Sequence, residues 1–170
     1  LHICEFYVDL WEEVCYNCGN AFVLRDSGDD LCQSRVIFVQ GGFFKKIGEI
    51  ENPVFNSPFE LGTAVINTGF NLISLANNHV FDNGEIGIRN SLDFWRQQNR
   101  IYSGQNNSQI DKEYIKIHSC KGIKYAFISY TTKTNSITAP KGKEYLVNIY
   151  SNETAKNDIE KIRKDVDVVI

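Results

Sequence analysis

After residue 52 the apolar and polar positions recur regularly enough to assign elements. Ser57, Pro58 and Glu60 form a helix start: an N-cap hydroxyl, a proline at the first helical position, and a capping-box acid three residues on. Leu61, Ala64 and Val65 then recur at helical spacing, and Gly69 supplies a left-handed stop. Residues 72–76 are a short apolar run of the kind a covered strand shows, and the run ends abruptly in Asn77, Asn78 and His79. Gly84 lets the backbone turn into a second helix over residues 85–98. There Ile88, Leu92 and Trp95 make one apolar stripe, Arg89, Asp93 and Arg96 lie off it, and Asn99 is the stop. Residues 114–117 and 123–130 read as strands of a hairpin around Lys121-Gly122, with His118 placed at its turn as a surface histidine. A polar connection over 131–143 leads to a last helix over 152–164, with Ala155, Ile159, Ile162 and Val166 on one face, and residues 167–170 begin another strand.

The first 51 residues carry weaker patterns and form a separate segment, ahead of a domain over 52–170. Residues 3–10 and 21–24 are compatible with strands, 35–39 is a better one, and Asp26 to Asp30 is a turn-like acidic cluster. Four of the five cysteines, Cys4, Cys15, Cys18 and Cys32, lie here, and Cys120 stands apart. An odd total argues against a closed disulfide framework. Cys15-x-x-Cys18 lacks a second pair at metal-ligand spacing, so unpaired thiols are the better reading than zinc.

Composition narrows the class without naming a chemistry. A chain of 170 residues suits one domain, long enough to bury about 70% of its unfolded surface. A formal charge of −3 and 42% hydrophobic residues describe an ordinary soluble globular protein rather than a disordered or membrane-spanning one, and the alternation of helices and strands makes it α/β. No basic field points to nucleic acid. No apolar run approaches the roughly 20 residues of a membrane-spanning helix, and Glu5 and Asp9 stand where a secretion signal wants positive charge. A start at Leu1 suggests a fragment or processed product.

The candidate chemistry lies beyond the strand at 72–76. In open α/β sheets, ligands bind just past the carboxyl ends of the strands. There the chain delivers two amides, the imidazole of His79 and the carboxylate of Asp82. Asn and Asp side chains also hold turns together, so a purely structural loop is the competing reading. The polar connection at 131–143, which contains Asn135, also begins at a strand end and can line the same site.

Several separated blocks carry a resemblance. Asn56-Ser-Pro58, Gly69-Phe70, Ser74-Leu-Ala-Asn-Asn-His79 with Asp82 and Gly84, Gly104, the stretch from Gly122 to Thr131, and Pro140 to Asn148 resemble the CapA family of capsule and poly-gamma-glutamate synthesis proteins. The likeness covers about residues 52–170. It implies a calcineurin-like metallophosphatase fold, an αββα sandwich cut at both ends. It also implies a divalent metal centre of manganese, iron or magnesium, dinuclear when complete, with Asn78 as a ligand. His79 and Asp82 become the catalytic pair, His79 donating a proton or stabilising charge, and Asn77 and Asn135 become substrate-binding. Asp26 or Asp29 is the candidate for an early metal aspartate, against a solvated turn. The family's glycine-aspartate motif is not recognisable upstream, and its His-Trp-Gly-x-Glu motif falls after Ile170. The expectation is therefore that these 170 residues hold metal weakly or not at all and lack turnover by themselves.

Two function classes are implied by the resemblance. One is a metal-dependent phosphoesterase-like hydrolase. The other is a non-catalytic polymer assembly or binding component on the same fold. The implied partners are the capsule or poly-gamma-glutamate synthesis machinery, and the implied place is the cell surface, behind a membrane anchor of the parent protein.

Overall fold

In a computed structural model the protein is described over residues 21–24, 36–39, 42–43 and 56–170. It is a mixed α/β fold. Its first sheet is built from β1 (Ala21–Leu24), β2 (Val36–Val39), β5 (Leu72–Ser74) and β6 (Ile101–Ser103), hydrogen-bonded in that order. β1 runs antiparallel to β2, whereas β2, β5 and β6 are parallel, in the register Val36 to Leu72 and Leu72 to Ile101. This sheet therefore draws strands from both sides of residue 52. A short parallel pair, β3 (Gly42–Phe43) with β4 (Asn56–Ser57), stands separately. The second sheet is the hairpin of β7 (Ile117–Cys120) and β8 (Ile123–Ala126), with β9 (Val168–Val169) parallel to β8 on its other side.

Parallel neighbours need crossovers, and helices supply them. α1 (Phe59–Asn67) precedes β5, α2 (Gly84–Gln97) joins β5 to β6, and α4 (Asn152–Ile162) precedes β9. The stripe on α2 is buried as its spacing requires, with Ile88, Leu92 and Trp95 all at 0% exposure. These pack with Val65 of α1 and with Ile73, Leu75, Val80 and Phe81 around β5. Leu72 points to the other side and meets Tyr125 and Phe127 of the second sheet. β5 is thus covered on both faces, which is why it reads as an unbroken apolar run.

Several local readings change in the structure. Ser57 is not the cap of α1: it is fully buried in β4, and Pro58 is the N-cap, with its nitrogen unable to donate to the strand pair or the helix. Gly69 does stop the helix, at φ 90°, with its N–H donating to the Ile66 carbonyl. Asn99 likewise closes α2 at φ 51°. β7 begins at Ile117 and runs to Cys120, so His118 lies inside the strand and not at the turn. Its ring is 5.5 Å from that of Tyr125, its cross-strand partner. The turn itself is Lys121-Gly122, both left-handed, the geometry a two-residue hairpin favours. A helix missed by periodicity, α3 (Gln109–Glu113), comes after Ser108, whose Oγ accepts from the Asp111 N–H at 3.1 Å. On α4 only Ile162 of the expected stripe is buried, and Ile159 is 41% exposed. Cys120, which stands apart in the sequence, is disulfide-bonded. Asp26, Asp29, residues 3–10 and the other four cysteines lie outside the described residues.

Candidate functional site

The site forms because two strands of different sheets end at the same edge. Leu72 packs beside Tyr125 and Phe127, and two residues on the Ser74 hydroxyl hydrogen-bonds to that of Ser129, so β5 and the extension of β8 advance together. β5 leads into the turn at 78–83, and the extension of β8 leads into the connection at 131–143. The two meet in space.

Asn77 makes the turn. Its Oδ1 accepts from the His79 N–H at 2.8 Å, and its Nδ2 donates to the Leu75 carbonyl at 3.3 Å, so the amide serves backbone groups that the strand end leaves unpaired. The Val80, Asp82 and Gly84 N–H groups donate to the carbonyls of Asn77, His79 and Phe81, winding the chain into α2. Val80 and Phe81 are buried beneath this turn and anchor it. His79 is then held by its side chain too: Nδ1 lies 2.9 Å from Asp82 Oδ2, with the side chains only 16% and 7% exposed. A carboxylate at Nδ1 fixes the proton there and leaves Nε2 as the acceptor, or as the acid when the ring is charged.

Asn135 arrives from the other loop. Its Oδ1 accepts from Asn78 Nδ2 at 3.0 Å, which turns its own Nδ2 toward the imidazole, 3.2 Å from Nδ1 and 3.3 Å from Nε2. Two nearly equal distances mean the amide lies across the ring and not along one in-plane lone pair. Asn135 and Ser136 are both left-handed, at φ 48° and 65°. Asn tolerates that conformation and Ser does so less readily, so the tip of the loop is strained where it touches His79. The Thr134 hydroxyl and the Ile137 N–H brace the tip by donating to the Ile137 and Thr134 carbonyls respectively. At the far end of the loop, Lys143 pairs with Glu85 on α2, and Glu85 also pairs with Arg89. Those two cations hold the Glu85 carboxyl below its ordinary value.

The structure therefore brings together all five side chains singled out in the sequence: Asn77, Asn78, His79, Asp82 and Asn135. It adds a buried polar layer beneath them. Gln105, 2% exposed, donates from Nε2 to the Leu75 carbonyl at 3.0 Å. Asn106 donates to the Tyr145 carbonyl and to Asn148 Oδ1, and Asn148 donates to the Ser129 carbonyl. The Asn148 backbone N–H binds the Gly104 carbonyl, and its carbonyl accepts from Thr131, so one residue stitches the ends of the two sheets together. The cue was present in the sequence: Gln105-Asn106 follows Gly104, and Asn148 follows the apolar pair Leu146-Val147. Gly104, at φ 105°, permits the close approach, since a Cβ there would stand 2.5 Å from the Ala76 nitrogen.

The comparisons add the family. Residues 40–170 match the family model described as bacterial capsule synthesis protein PGA_cap. The chain belongs to this bacterial capsule synthesis family. The match begins ahead of residue 52 and takes in β3 and β4, the sequences of α1, β5 and α2, and both loops of the site. No curated protein matches the chain. Membership associates this capsule-synthesis chain with the cell envelope. Among the described residues no helix is long and apolar enough to cross a membrane.

The donor set sets a limit on metal chemistry. Asn78 offers an amide oxygen beside His79, but Asp82 is already paired with His79. Among the described residues no three His, Cys, Asp or Glu side chains cluster as a metal centre requires. These residues do not by themselves fit a dinuclear site.

Proposed function

We propose that this chain takes part in capsule or poly-gamma-glutamate synthesis through a phosphoester-directed site at the rim where His79 stands. The observation that carries this reading is the 2.9 Å contact between His79 Nδ1 and Asp82 Oδ2 at the carboxyl edge of a parallel sheet. A carboxylate behind an imidazole fixes the orientation of the ring. A protonated His79 can then hold an anionic oxygen or give a leaving oxygen its proton. Asn135, across the ring, is the residue a substrate oxygen meets first, and Asn77 keeps the backbone of the turn in place. Asn78 is the expected ligand of a divalent manganese, iron or magnesium ion. The described residues do not complete such a centre, so the proton chemistry rests on His79 and Asp82.

The layering supports a calcineurin-like αββα sandwich as the finer description of the fold. α1 and α2 cover one face of the first sheet, the second sheet covers the other, and the Tyr130 hydroxyl reaches outward to Asp158 on α4 at 2.8 Å. The family supports a place at the cell surface among the proteins of capsule synthesis, with a membrane anchor in the parent protein.

The test is hydrolysis of p-nitrophenyl phosphate by the complete gene product with added manganese. His79→Ala and Asp82→Asn should each lower kcat by roughly 100-fold or more, the usual worth of a positioned proton donor. The thin metal-ligand set favours a second reading, in which the rim binds polymer without turning it over. Turnover absent from the wild type, with poly-gamma-glutamate binding that weakens in His79→Ala, would select the second reading and end the first.

A further inference from the structure

A pocket lies at the opposite end of the first sheet from His79. Strands β5 and β6 are parallel, so the start of β6 and the turn after α2 lie at the amino edge, away from the rim. There Arg96, Arg100, Ile101, Tyr102, Lys116 and His118 line a cavity of about 420 Å³, which is within the range of small-molecule sites. Three of these residues are permanent cations, and no described residue lining the cavity is acidic, in a chain whose net charge is −3. Arg96 has a surface partner in Asp93 at 3.1 Å. Arg100 and Lys116 have no ion pair among the described residues, and the Lys116 ammonium stands 5.3 Å from the centre of the Tyr102 ring. The Arg100 Nε is buried and has no hydrogen-bond partner among the described residues. Arg100 as a whole is half-buried, so a ligand in the cavity meets its terminal nitrogens and not Nε.

We propose that this pocket binds an organic phosphate monoester, its phosphate held by Arg100 and Lys116 and its body lying against Ile101 and Tyr102. An arginine fork supplies two aligned donors and a lysine ammonium a third, which suits the three free oxygens of a phosphate better than the two of a carboxylate. The volume and the aromatic wall leave room for more than the bare anion. His118 reports on the same field: burial, and then the nearby Lys116, hold its imidazole below the ordinary value, and a bound dianion reverses the second of these. The pocket is independent of the rim chemistry, since the length of β5 and β6 separates the two edges of the sheet.

The experiment is calorimetric titration of the complete gene product with phenyl phosphate, alongside NMR of the His118 ring. The expected result is saturable binding that raises the His118 pKa. Arg100→Gln and Lys116→Gln should each weaken it by roughly tenfold or more, the ordinary worth of a charge-assisted hydrogen bond. Benzoate should bind more weakly than phenyl phosphate. Lys116 is exposed, so its variant tests the pocket even where the Arg100 variant fails to fold. Absence of saturation, a His118 pKa that does not move, or an affinity indifferent to Lys116→Gln would each overturn the proposal.

Discussion

Replacing Gly104 by alanine puts a methyl group where the end of β5 already stands. The new Cβ would lie 2.5 Å from the Ala76 nitrogen and 2.6 Å from the Ala76 Cβ, with Ala76 itself 5% exposed and fixed between packed layers. Holding a non-glycine residue at φ 105° costs on the order of 1–3 kcal/mol, and forcing atoms into a filled interior costs about as much again. The expected loss is about 2–6 kcal/mol, a large part of the roughly 5–15 kcal/mol that holds a domain together. Gly122→Ala is the matched control. Its φ is 85° and its Cβ would meet nothing within 4 Å, so it carries backbone strain without the clash. Urea denaturation of both variants separates the two contributions, since an unchanged slope means the midpoints report stability alone. Gly104→Ala should unfold at the lower urea concentration, and because Ala76 directly precedes Asn77 it should also disturb the His79 ring resonances. If the two variants shared a midpoint, the close contact between Gly104 and β5 would not be what holds the rim.

Other outcomes rest on single contacts. Ser151→Ala should cost about 1 kcal/mol by urea melting, because its Oγ accepts from the Thr154 N–H at 3.0 Å and caps α4. Asn135→Ala removes an exposed side chain, so the melting midpoint should stay within about 0.5 kcal/mol of wild type while the His79 ring signals move. The depressed His118 fixes a sign for pH dependence. The unfolded chain takes up that proton near the ordinary value of 6.5 and the fold takes it up only at lower pH, so stability is full above 6.5 and declines as pH falls below it. His118→Gln should flatten that portion of a stability-against-pH curve. Tyr130, raised by burial and then by its hydrogen bond to Asp158, should show no phenolate absorbance at a pH where exposed tyrosines ionise.

The sequence legibly encodes what neighbours along the chain decide. The stripe of α2, the stops at Gly69 and Asn99 and the Lys121-Gly122 turn depend on residues within a few positions of each other, and all stand where their spacing puts them. So does the polar end of the apolar run, because a strand covered on both faces must expose its chemistry beyond its last buried residue. Ser57 shows the limit: its cap signature is intact, yet pairing of β4 with β3 takes the residue into a strand, and the helix starts later. His118 is displaced from the turn in the same way, by a hairpin register that local pattern does not specify.

Only the tertiary structure decides which distant groups share a volume. Asn135 lies 56 positions from His79, and it crosses the imidazole because β5 and the extension of β8 end at one edge. Asn148 ties Gly104 to Thr131 for the same reason, and Arg100 comes to face Lys116 because β6 and β7 are edge strands of facing sheets. Periodicity and caps set each segment's shape and polarity, since those depend on torsions and neighbouring side chains. Layer packing sets who meets whom, since burying the apolar faces of both sheets at once leaves few ways to align their ends.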